Sequence, residues 1–560
     1  MYQVNIEFLR VQTFLFAVPR LRNMVGANVL LGEMIRLRLP QLLAGKLPKY
    51  YNNTRVKFAT CKLKLPLALN FEHPCFDPLD DSLAAVQDKD KDKPANLYER
   101  GILKRDGGHF SALFNDLKEA EAFKKSANNL LLQNLPGLRF EIRLNKFGDK
   151  QKNKPVAVSQ QLIDLPQIQV CQVSGNGPAA HEDDPKTDNE TVLYISESAY
   201  QAKEKGWHFS KTLRGDTPEY KRTRDMVSMI SRTLLTAIDL EEPPDFKSLC
   251  GDDYMAVIHA DGNSIGLRYK QYKETQIPKD LSNLHKEMYG EQFYYSMRVA
   301  VRAALKQAID TTFKDQNFDY SPYQIIMLGG DDLLMICRAK LAFDFIVEYA
   351  KALPDKHLAD GNPLTVGIGM VIASPNLPFY HLHHLAESLA SSAKQLFRSQ
   401  PEGQKTSVID WIVSTQAWVD DPIALRRQKS LLHYQVDGQS ETLRLNNRPY
   451  KILGDDLNTL EGLWERAKNL AEKISGQKAA RSQLRQLVFE LEQGRHWADL
   501  AALGLPMKTQ KALQEVGVLN EDKDISLWKS EGTGYYTALA DLMELYEIHN
   551  LRREYPGNKK

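Results

Sequence analysis

Residues 323–337 read YQIIMLGGDDLLMIC, two apolar runs on either side of Gly329-Gly330-Asp331-Asp332. Apolar runs of this length around a glycine pair predict two antiparallel strands that form a β-hairpin. The glycine pair supplies the φ > 0 backbone that a two-residue turn requires. We therefore expect Asp331 and Asp332 at the tip of a hairpin.

A second acidic turn, Ala260-Asp261-Gly262-Asn263, lies about seventy residues earlier in the chain. It follows the apolar run Tyr254–Ile258, which predicts a strand. Carboxylates at the ends of neighbouring strands, together with substrate phosphates, provide the oxygen ligands that Mg²⁺ prefers. This pattern predicts the metal half of a site that polymerises or cyclises nucleotides.

The elements around these turns occur in a recognisable order. After the first strand, apolar residues recur at helical spacing over Glu291–Phe313, and the hairpin follows. A second helical pattern covers Ala339–Leu353, and a strand covers Leu364–Ile372. The order β-α-β-β-α-β is that of the ferredoxin-like unit, in which the first strand lies beside the hairpin. Asp261 and Asp331 are therefore expected to meet.

The segment from Tyr254 to Phe397 resembles the second palm of the large polymerase-cyclase subunit of type III CRISPR effectors. That palm is a relative of GGDEF diguanylate cyclases and adenylate cyclases. The resemblance rests on the two acidic turns, the strand Val366–Ala373 and the helix after Pro378 that ends in Ala393-Lys394. It implies an enzyme of antiviral defence that joins ATP into cyclic oligoadenylate messengers.

The remainder of the chain carries weaker signals of the same family. Val11–Phe16 and Gly26–Glu33 are similar to its first palm, as a strand followed by a helix that opens near Gly26, and Leu138–Leu144 predicts a further strand. No second Gly-Gly-Asp-Asp occurs before residue 250, so the first palm is expected to be a catalytically inactive structural partner. Helical patterns around Leu463-Trp464 and Arg481–Leu484 resemble the family's C-terminal tail.

These signals predict an α+β fold with two ferredoxin-like palm domains and a C-terminal helical domain. The expected domains are 1–240 for the first palm with inserted loops, 241–415 for the catalytic palm, and 416–560 for the helical domain. A strand over Ser407–Ile412 is expected to extend the sheet of the catalytic palm.

Two departures from the family limit what the resemblance implies. Many members begin with an HD phosphohydrolase domain, and this sequence carries no such His-Asp dyad. Many also carry a zinc ribbon built on Cys-x-x-Cys pairs, but the five cysteines here form none, and Ser174 stands where Cys171 would need a partner. We therefore expect no DNase activity and no structural zinc. Membership in an RNA-guided complex stays open.

The composition excludes several protein classes. The formal net charge is only +2, so nucleic-acid contacts would need local basic patches. Few and unpaired cysteines indicate a reducing compartment. Neither a signal peptide nor a membrane-spanning apolar run is present in the sequence. The expected location is the cytoplasm, with no membrane partner.

The two acidic turns suggest a role for each of their residues. Asp261 and Asp331 are the expected ligands of Mg²⁺ or Mn²⁺, and the backbone carbonyl of Gly262 completes one coordination shell. Asp332 is either another ligand or the group that helps to deprotonate the attacking hydroxyl. The alternatives are a strand-end cap for Asp261 and a solvated turn for the aspartate pair.

The remaining nucleotide contacts are predicted as follows. Gly329 and Gly330 let the backbone approach the phosphates, and Asn263 touches the ribose or the base, since an asparagine can pair with adenine N6 and N7. The resemblance makes Lys394 a triphosphate contact, with a solvated helix face as the alternative. The Gly-rich turn Arg105–His109 is either a plain loop, which is favoured, or a loop of the first palm that touches substrate or a partner.

The three histidines at 381, 383 and 384 invite a metal interpretation, but only His381 and His384 share a helix face, so a surface or core role is favoured.

Two classes of function compete at this point. As an enzyme, the chain makes cyclic oligoadenylates from ATP, or it is a dinucleotide cyclase that pairs two palms across a homodimer. As a binding module, it is a scaffold in a complex with guide RNA and other CRISPR subunits. Three clustered carboxylates favour the enzyme, because their mutual repulsion costs stability unless a metal ion is bound. The base, the ring size and the activating signal stay open.

Overall fold

The structure is a computed structural model, and it describes most but not all of the 560 residues. The described residues are 1–48, 56–66, 69, 71, 73–75, 77–78, 94–148, 169–183, 192–212, 242–251, 253–314, 318–414, 421–436, 439–474, 478–520, 526–532 and 534–551. The domain limits expected at 240/241 and 415/416 fall outside these residues or at their edge, so they stay predictions.

The N-terminal sheet has four strands in the order β2-β3-β1-β4. The strand β1 pairs antiparallel with both β3 and β4, which is the strand order of a ferredoxin-like unit. The elements are β1 Tyr2–Leu9, α1 Val11–Leu15, α2 Leu21–Glu33, a π-helical turn Met34–Arg38, α3 Leu39–Leu43, α4 Pro94–Tyr98, β2 Ile102–Lys104, β3 His109–Phe114, α5 Leu117–Asn134 and β4 Arg139–Lys146.

The strand expected at Val11–Phe16 is wrong. The first strand is β1, in which Val4, Ile6 and Phe8 alternate into the core, the two-residue period of a half-buried strand. Arg10 then takes a left-handed conformation, with φ of 53°. This turns the chain away from the sheet, and the apolar residues that follow form the short helix α1.

The helix expected to open near Gly26 begins five residues earlier, at Leu21. Gly26 lies inside α2, against the helix α6 Glu197–Thr212. A Cβ atom at Gly26 would lie 1.9 Å from the carbonyl oxygen of Ala202. Gly26 is therefore required by the close contact of two helices and is not a start signal.

The central sheet has six strands in the order β14-β11-β10-β7-β9-β8. Its first helices and strands follow the hairpin of β5 Ala179–Asp183 with β6 Leu193–Ser196 and the helix α7 Phe246–Cys250. They are β7 Met255–Gly262, α8 Ile265–Thr275, α9 Asn283–Phe313, β8 Tyr323–Gly329, β9 Asp332–Arg338, α10 Ala339–Ala352, β10 Val366–Ala373, α11 Phe379–Ser399 and β11 Val408–Ser414.

The mixed α/β fold and the β-α-β-β-α-β order of this region are confirmed. The strand β11 pairs parallel with β10 and extends the sheet as expected. The helix α9 begins eight residues before the predicted start, because the Ser282 hydroxyl accepts the backbone N–H of His285 at 3.2 Å and caps it there.

Helices cover both faces of the central sheet. Ala256, Ile258 and Ala260 of β7 face a core built with α9 and α10. Met255 and Val257 face the opposite side, where α11 and the N-terminal helices share a second core. This alternation directs every second side chain of β7, including His259 and Asp261, towards α11.

The C-terminal region is not purely helical. It carries α12 Pro422–Ser430, β12 Leu431–Val436, β13 Gln439–Arg444, β14 Tyr450–Lys451, α13 Leu460–Lys473, α14 Lys478–Glu490, a 3₁₀ turn Leu491–Gln493, α15 Arg495–Leu503, α16 Met507–Glu515, β15 Lys529–Glu531, β16 Gly534–Tyr536 and α17 Leu539–His549. Four of its strands form a separate sheet in the order β12-β13-β16-β15.

This region also joins the core of the central sheet. Strand β14 pairs with β11, and the Trp464 indole packs 5.2 Å from the ring of Phe343 on α10. In the part of the chain that the structure describes, no helix is both long enough and apolar enough to cross a membrane.

Candidate functional site

The acidic turns meet at one end of the central sheet. Strands β7 and β9 are antiparallel neighbours with Ala260 opposite Leu333, so Asp261 and Asp332 occupy the next positions. The hairpin turn itself consists of Gly330 and Asp331, and Gly329 pairs with Asp332. The three aspartates therefore lie together at this end of the sheet, as predicted.

One detail of the predicted turn is wrong. Only Gly330 has a positive φ, at 76°, whereas Gly329 ends β8 in extended conformation. A glycine at the first corner alone is the pattern of a type II′ hairpin turn. The second corner is thus free for Asp331.

Gly262 lets the hairpin tip approach β7. A Cβ atom at Gly262 would lie 2.8 Å from both Cβ and Oδ2 of Asp331, a distance that no larger residue tolerates. Burial, followed by the charges of the nearby Asp261 and Asp332 carboxylates, raises the pKa of Asp331 from 3.8 to about 6. Close packing of like charges therefore favours the protonated form of this carboxyl group.

Lys394 reaches the same carboxylates from α11. Its ammonium group forms an ion pair with Asp261, and Nζ donates a hydrogen bond to the carbonyl oxygen of Gly262 at 3.1 Å. The carbonyl predicted to complete a metal shell is thus a hydrogen-bond acceptor here. The triphosphate contact of Lys394 stays a prediction.

Two glycines of β10 make room for this lysine and for the helix that carries it. A Cβ atom at Gly367 would lie 2.6 Å from Cγ of Lys394, and one at Gly369 would lie 1.9 Å from the carbonyl oxygen of Ala386. The helix α11 therefore lies directly on the strand, which brings its side chains to the level of Asp261.

His259 was missed by the sequence interpretation. Its Nε2 atom lies 2.8 Å from Oδ1 of Asp332, although Oδ1 lacks the alignment of a hydrogen bond, so we describe the contact as an electrostatic pairing. Burial lowers the pKa of His259, but Asp332, Glu387 and Asp261 outweigh burial and the net change is a rise. Its position two residues before Asp261, on the same face of the strand, is the signal that could have revealed it.

The role predicted for Asn263 requires correction. Its side chain is only 1% exposed, and its amide donates to the Thr365 hydroxyl at 3.3 Å while its backbone N–H donates to the Thr365 carbonyl at 2.9 Å. A side chain buried in this way supports the end of β7. It does not present its amide to the edge of a base.

A cavity of about 320 Å³ opens beside the hairpin tip. The central sheet contributes Gly329, Gly330 and Asp332, whereas the opposite wall comes mainly from the first N-terminal helices, with Arg105–Gly108 of the Gly-rich turn beside them. The turn is held in place by Asp106, which forms an ion pair with Arg36 and lies 3.6 Å from Arg298. The turn therefore lies beside the site. Its contact with substrate or with a partner stays a prediction.

Residues 254–400 match the family model described as Cas10/Cmr2, second palm domain. This segment is a Cas10/Cmr2 second palm domain. The resemblance to the large subunit of type III CRISPR effectors is thereby confirmed over about a quarter of the chain. The palm domain contains β7 to β10, α11 and all three aspartates.

Solved structures give more distant likenesses. The Csm1-Csm4 cassette in complex with cA4 is 11% identical, with a TM-score of 0.44 over 98% of this chain and 69% of that chain. Csm1 in T.onnurineus is 12% identical, with a TM-score of 0.44 over 97% of this chain and 69% of that one. Likenesses at this level carry no argument about activity or partners. No curated protein matches the sequence.

Proposed function

We propose that the chain is a nucleotidyltransferase that condenses ATP into cyclic oligoadenylates at the carboxylates of the palm domain. The observation that carries this proposal is the convergence of Asp261, Asp331 and Asp332 beside the cavity at the hairpin tip. The family assignment of residues 254–400 is consistent with such a reaction.

The donor set fits a hard divalent cation. Aspartate oxygens suit Mg²⁺ or Mn²⁺. Burial and the charges of Asp261 and Asp332 raise the pKa of Asp331, and a bound cation would offset both. Asp261 and Asp331 would hold the ion, which supplies a lowered pKa for the attacking hydroxyl and charge neutralisation of the pyrophosphate. Asp332 pairs with His259. We therefore assign Asp332 an orienting role beside the two aspartates that would hold the ion.

The residues of the chain would act on substrate in three ways. Lys394 compensates the charge of Asp261. Its ammonium group is placed to bind a phosphate that approaches the same carboxylate. The glycines at 329 and 330 leave backbone room for the phosphates. In the reaction, the 3′-oxygen of one nucleotide forms a bond to the α-phosphorus of the next, and the bond to pyrophosphate breaks.

The N-terminal sheet would serve as a catalytically inactive partner. It has the same ferredoxin-like strand order as the palm domain, and its first helices together with Arg105–Gly108 form the opposite wall of the cavity. Arg36 and Arg298 line the cavity as well, Arg36 in an ion pair with Asp106 and Arg298 in ion pairs with Asp106 and Glu291. We therefore place the second nucleotide between the two units.

The test is condensation by the purified chain. Each of the four nucleoside triphosphates is incubated with Mg²⁺ or Mn²⁺, and products are identified by mass spectrometry. We expect cyclic oligoadenylates from ATP with the wild type and with Asp280→Asn, an exposed aspartate outside the site. Asp331→Asn is expected to lower the rate by at least about 100-fold, because it removes a carboxylate that would hold the divalent ion.

Two results would overturn the proposal. Condensation at the wild-type rate in Asp331→Asn would show that this site does not carry out the reaction. No product from the wild type with any triphosphate and either ion would favour the alternative, a scaffold for guide RNA and other subunits. Products built from GTP in place of ATP would redirect the proposal to another cyclase.

A further inference from the structure

A second group of ligand-type side chains lies behind Asp332, on the α11 side of the central sheet. It consists of His259 from β7 and of His383 and Glu387 from α11. Each offers one donor atom, and the three atoms lie within 4.8 Å of one another. The two imidazole rings are nearly parallel, at 10°, with centroids 5.6 Å apart.

Both imidazoles contain a buried nitrogen whose bonding capacity is unused. His259 is 7% exposed and His383 is 2% exposed. Among the described residues, neither Nδ1 of His259 nor Nε2 of His383 has a hydrogen-bond partner. A buried polar atom left in this state destabilises the fold, so two of them in adjacent rings call for a ligand.

The contacts of the two imidazole rings indicate which nitrogens can coordinate an ion. Nε2 of His259 is engaged by Asp332 at 2.8 Å, which leaves Nδ1 as the nitrogen that can coordinate. A carboxylate on one imidazole nitrogen and a metal ion on the other is the usual arrangement of a ligating histidine. Nδ1 of His383 lies 3.8 Å from Oε2 of Glu387, so this ring faces that carboxylate.

We propose that His259, His383 and Glu387 bind one divalent transition-metal ion, at a site separate from the palm aspartates. Two imidazole nitrogens and one carboxylate suit ions of the Zn²⁺ and Co²⁺ type, whereas Mg²⁺ prefers oxygen ligands alone. Bonds of about 2.0–2.2 Å require the donors to draw together. Glu387, with a side chain 36% exposed, is the one free to rotate inwards.

The site lies where the N-terminal unit meets α11. Nε2 of Gln12 donates to Oε1 of Glu387 at 3.0 Å, and the Phe16 ring packs 4.8 Å from the ring of His383. An ion here would connect α1, α11 and β7, and through His259 it would fix the orientation of Asp332. The expectation of no structural zinc rested on cysteine pairs, and this site uses none.

The test measures metal binding and does not depend on nucleotide condensation. The full-length protein is titrated with Co²⁺ in the presence of excess Mg²⁺, which occupies the palm aspartates, and visible absorption is recorded. Equilibrium dialysis with Zn²⁺ gives the stoichiometry. We expect one ion per chain and an absorption band typical of nitrogen ligation.

Two variants remove donors and two serve as controls. Glu387→Gln keeps an acceptor for Gln12 and is expected to weaken binding at least about tenfold. His383→Phe keeps the aromatic packing and is expected to abolish the band. His384→Gln, the exposed neighbour, and Asp331→Asn are expected to bind as the wild type does.

Three results would overturn the proposal. They are the absence of binding in the wild type, unchanged binding in Glu387→Gln, and loss of binding in Asp331→Asn. Glu387 lies at the surface, so its variant is informative even if His383→Phe fails to fold.

Discussion

Asp331 carries the least compensated charge of the site. Asp261 is paired with Lys394 and Asp332 with His259, whereas no cation contacts Asp331 among the described side chains. Burial, followed by the charge of Asp261, raises its pKa from 3.8 to about 6. The folded protein therefore holds a proton on Asp331 over a pH range in which the unfolded chain has lost it.

The free energy of unfolding should reflect this residue. Between pH 3.8 and about 6 the folded state binds more protons than the unfolded state, so the contribution of Asp331 to stability falls as pH rises through that range. We expect Asp331→Asn to be more stable than the wild type at pH 7 by about 1–3 kcal/mol in EDTA, and to show no gain at pH 3.5.

Urea unfolding of both proteins at several pH values measures the difference. Excess Mg²⁺ should reduce the advantage of Asp331→Asn, because the ion stabilises the wild type alone. A variant whose stability relative to the wild type is the same at all pH values would contradict the prediction.

At the level of elements, the contact between β10 and α11 positions most of the site. The helix carries Lys394, His383 and Glu387, and it approaches the strand so closely that Gly369 has space for no side chain. The obstacle to a Cβ atom is the backbone of Ala386, which cannot rotate away as a side chain would.

Gly369→Ala is therefore expected to lower the free energy of unfolding by about 1–3 kcal/mol, since the added methyl group forces strand and helix apart. Gly266→Ala is the matched control, because that glycine lies near the start of α8 with nothing within 4 Å of an added Cβ. The control should be neutral or stabilised by up to about 1 kcal/mol. Urea unfolding distinguishes the two, and equal effects would contradict the close-contact explanation.

At the scale of the whole molecule, the N-terminal unit and the central sheet are joined by a buried ion pair. Arg302 of α9 binds both carboxylate oxygens of Asp77, at 3.0 and 2.6 Å, and the side chains are 1% and 4% exposed. One apolar core also contains residues from both units. The two units are thus expected to unfold together.

Asp77→Asn should cost about 3–5 kcal/mol, because it removes the carboxylate charge that binds the buried Arg302 through two hydrogen bonds. Asp310→Asn on the same helix is the control, since the Lys306–Asp310 pair is half-exposed and such pairs contribute less than about 1 kcal/mol. The measurement is urea unfolding followed by two probes, one in each unit. Equal losses in the two variants would show that the buried pair does not hold the units together.

Features that depend on neighbouring residues could be predicted from the amino-acid sequence. Apolar periodicity and the acidic turns located the hairpin, α10, β10 and β11, and they brought Asp261, Asp331 and Asp332 to one sheet edge. These predictions succeeded because strand pairing and helix faces follow from patterns of two and of three to four residues.

Features that depend on contacts between distant segments became apparent only in the folded chain. The pairing of His259 with Asp332 and the burial of Asn263 arise where β7 meets elements far along the chain. The same holds for Gly26, whose small size matters only because α6 packs against it. The C-terminal sheet was missed for a related reason, since β13 pairs with β16 across about ninety residues. Local sequence patterns do not reveal such contacts, because a contact between distant segments is set by packing once the chain has folded.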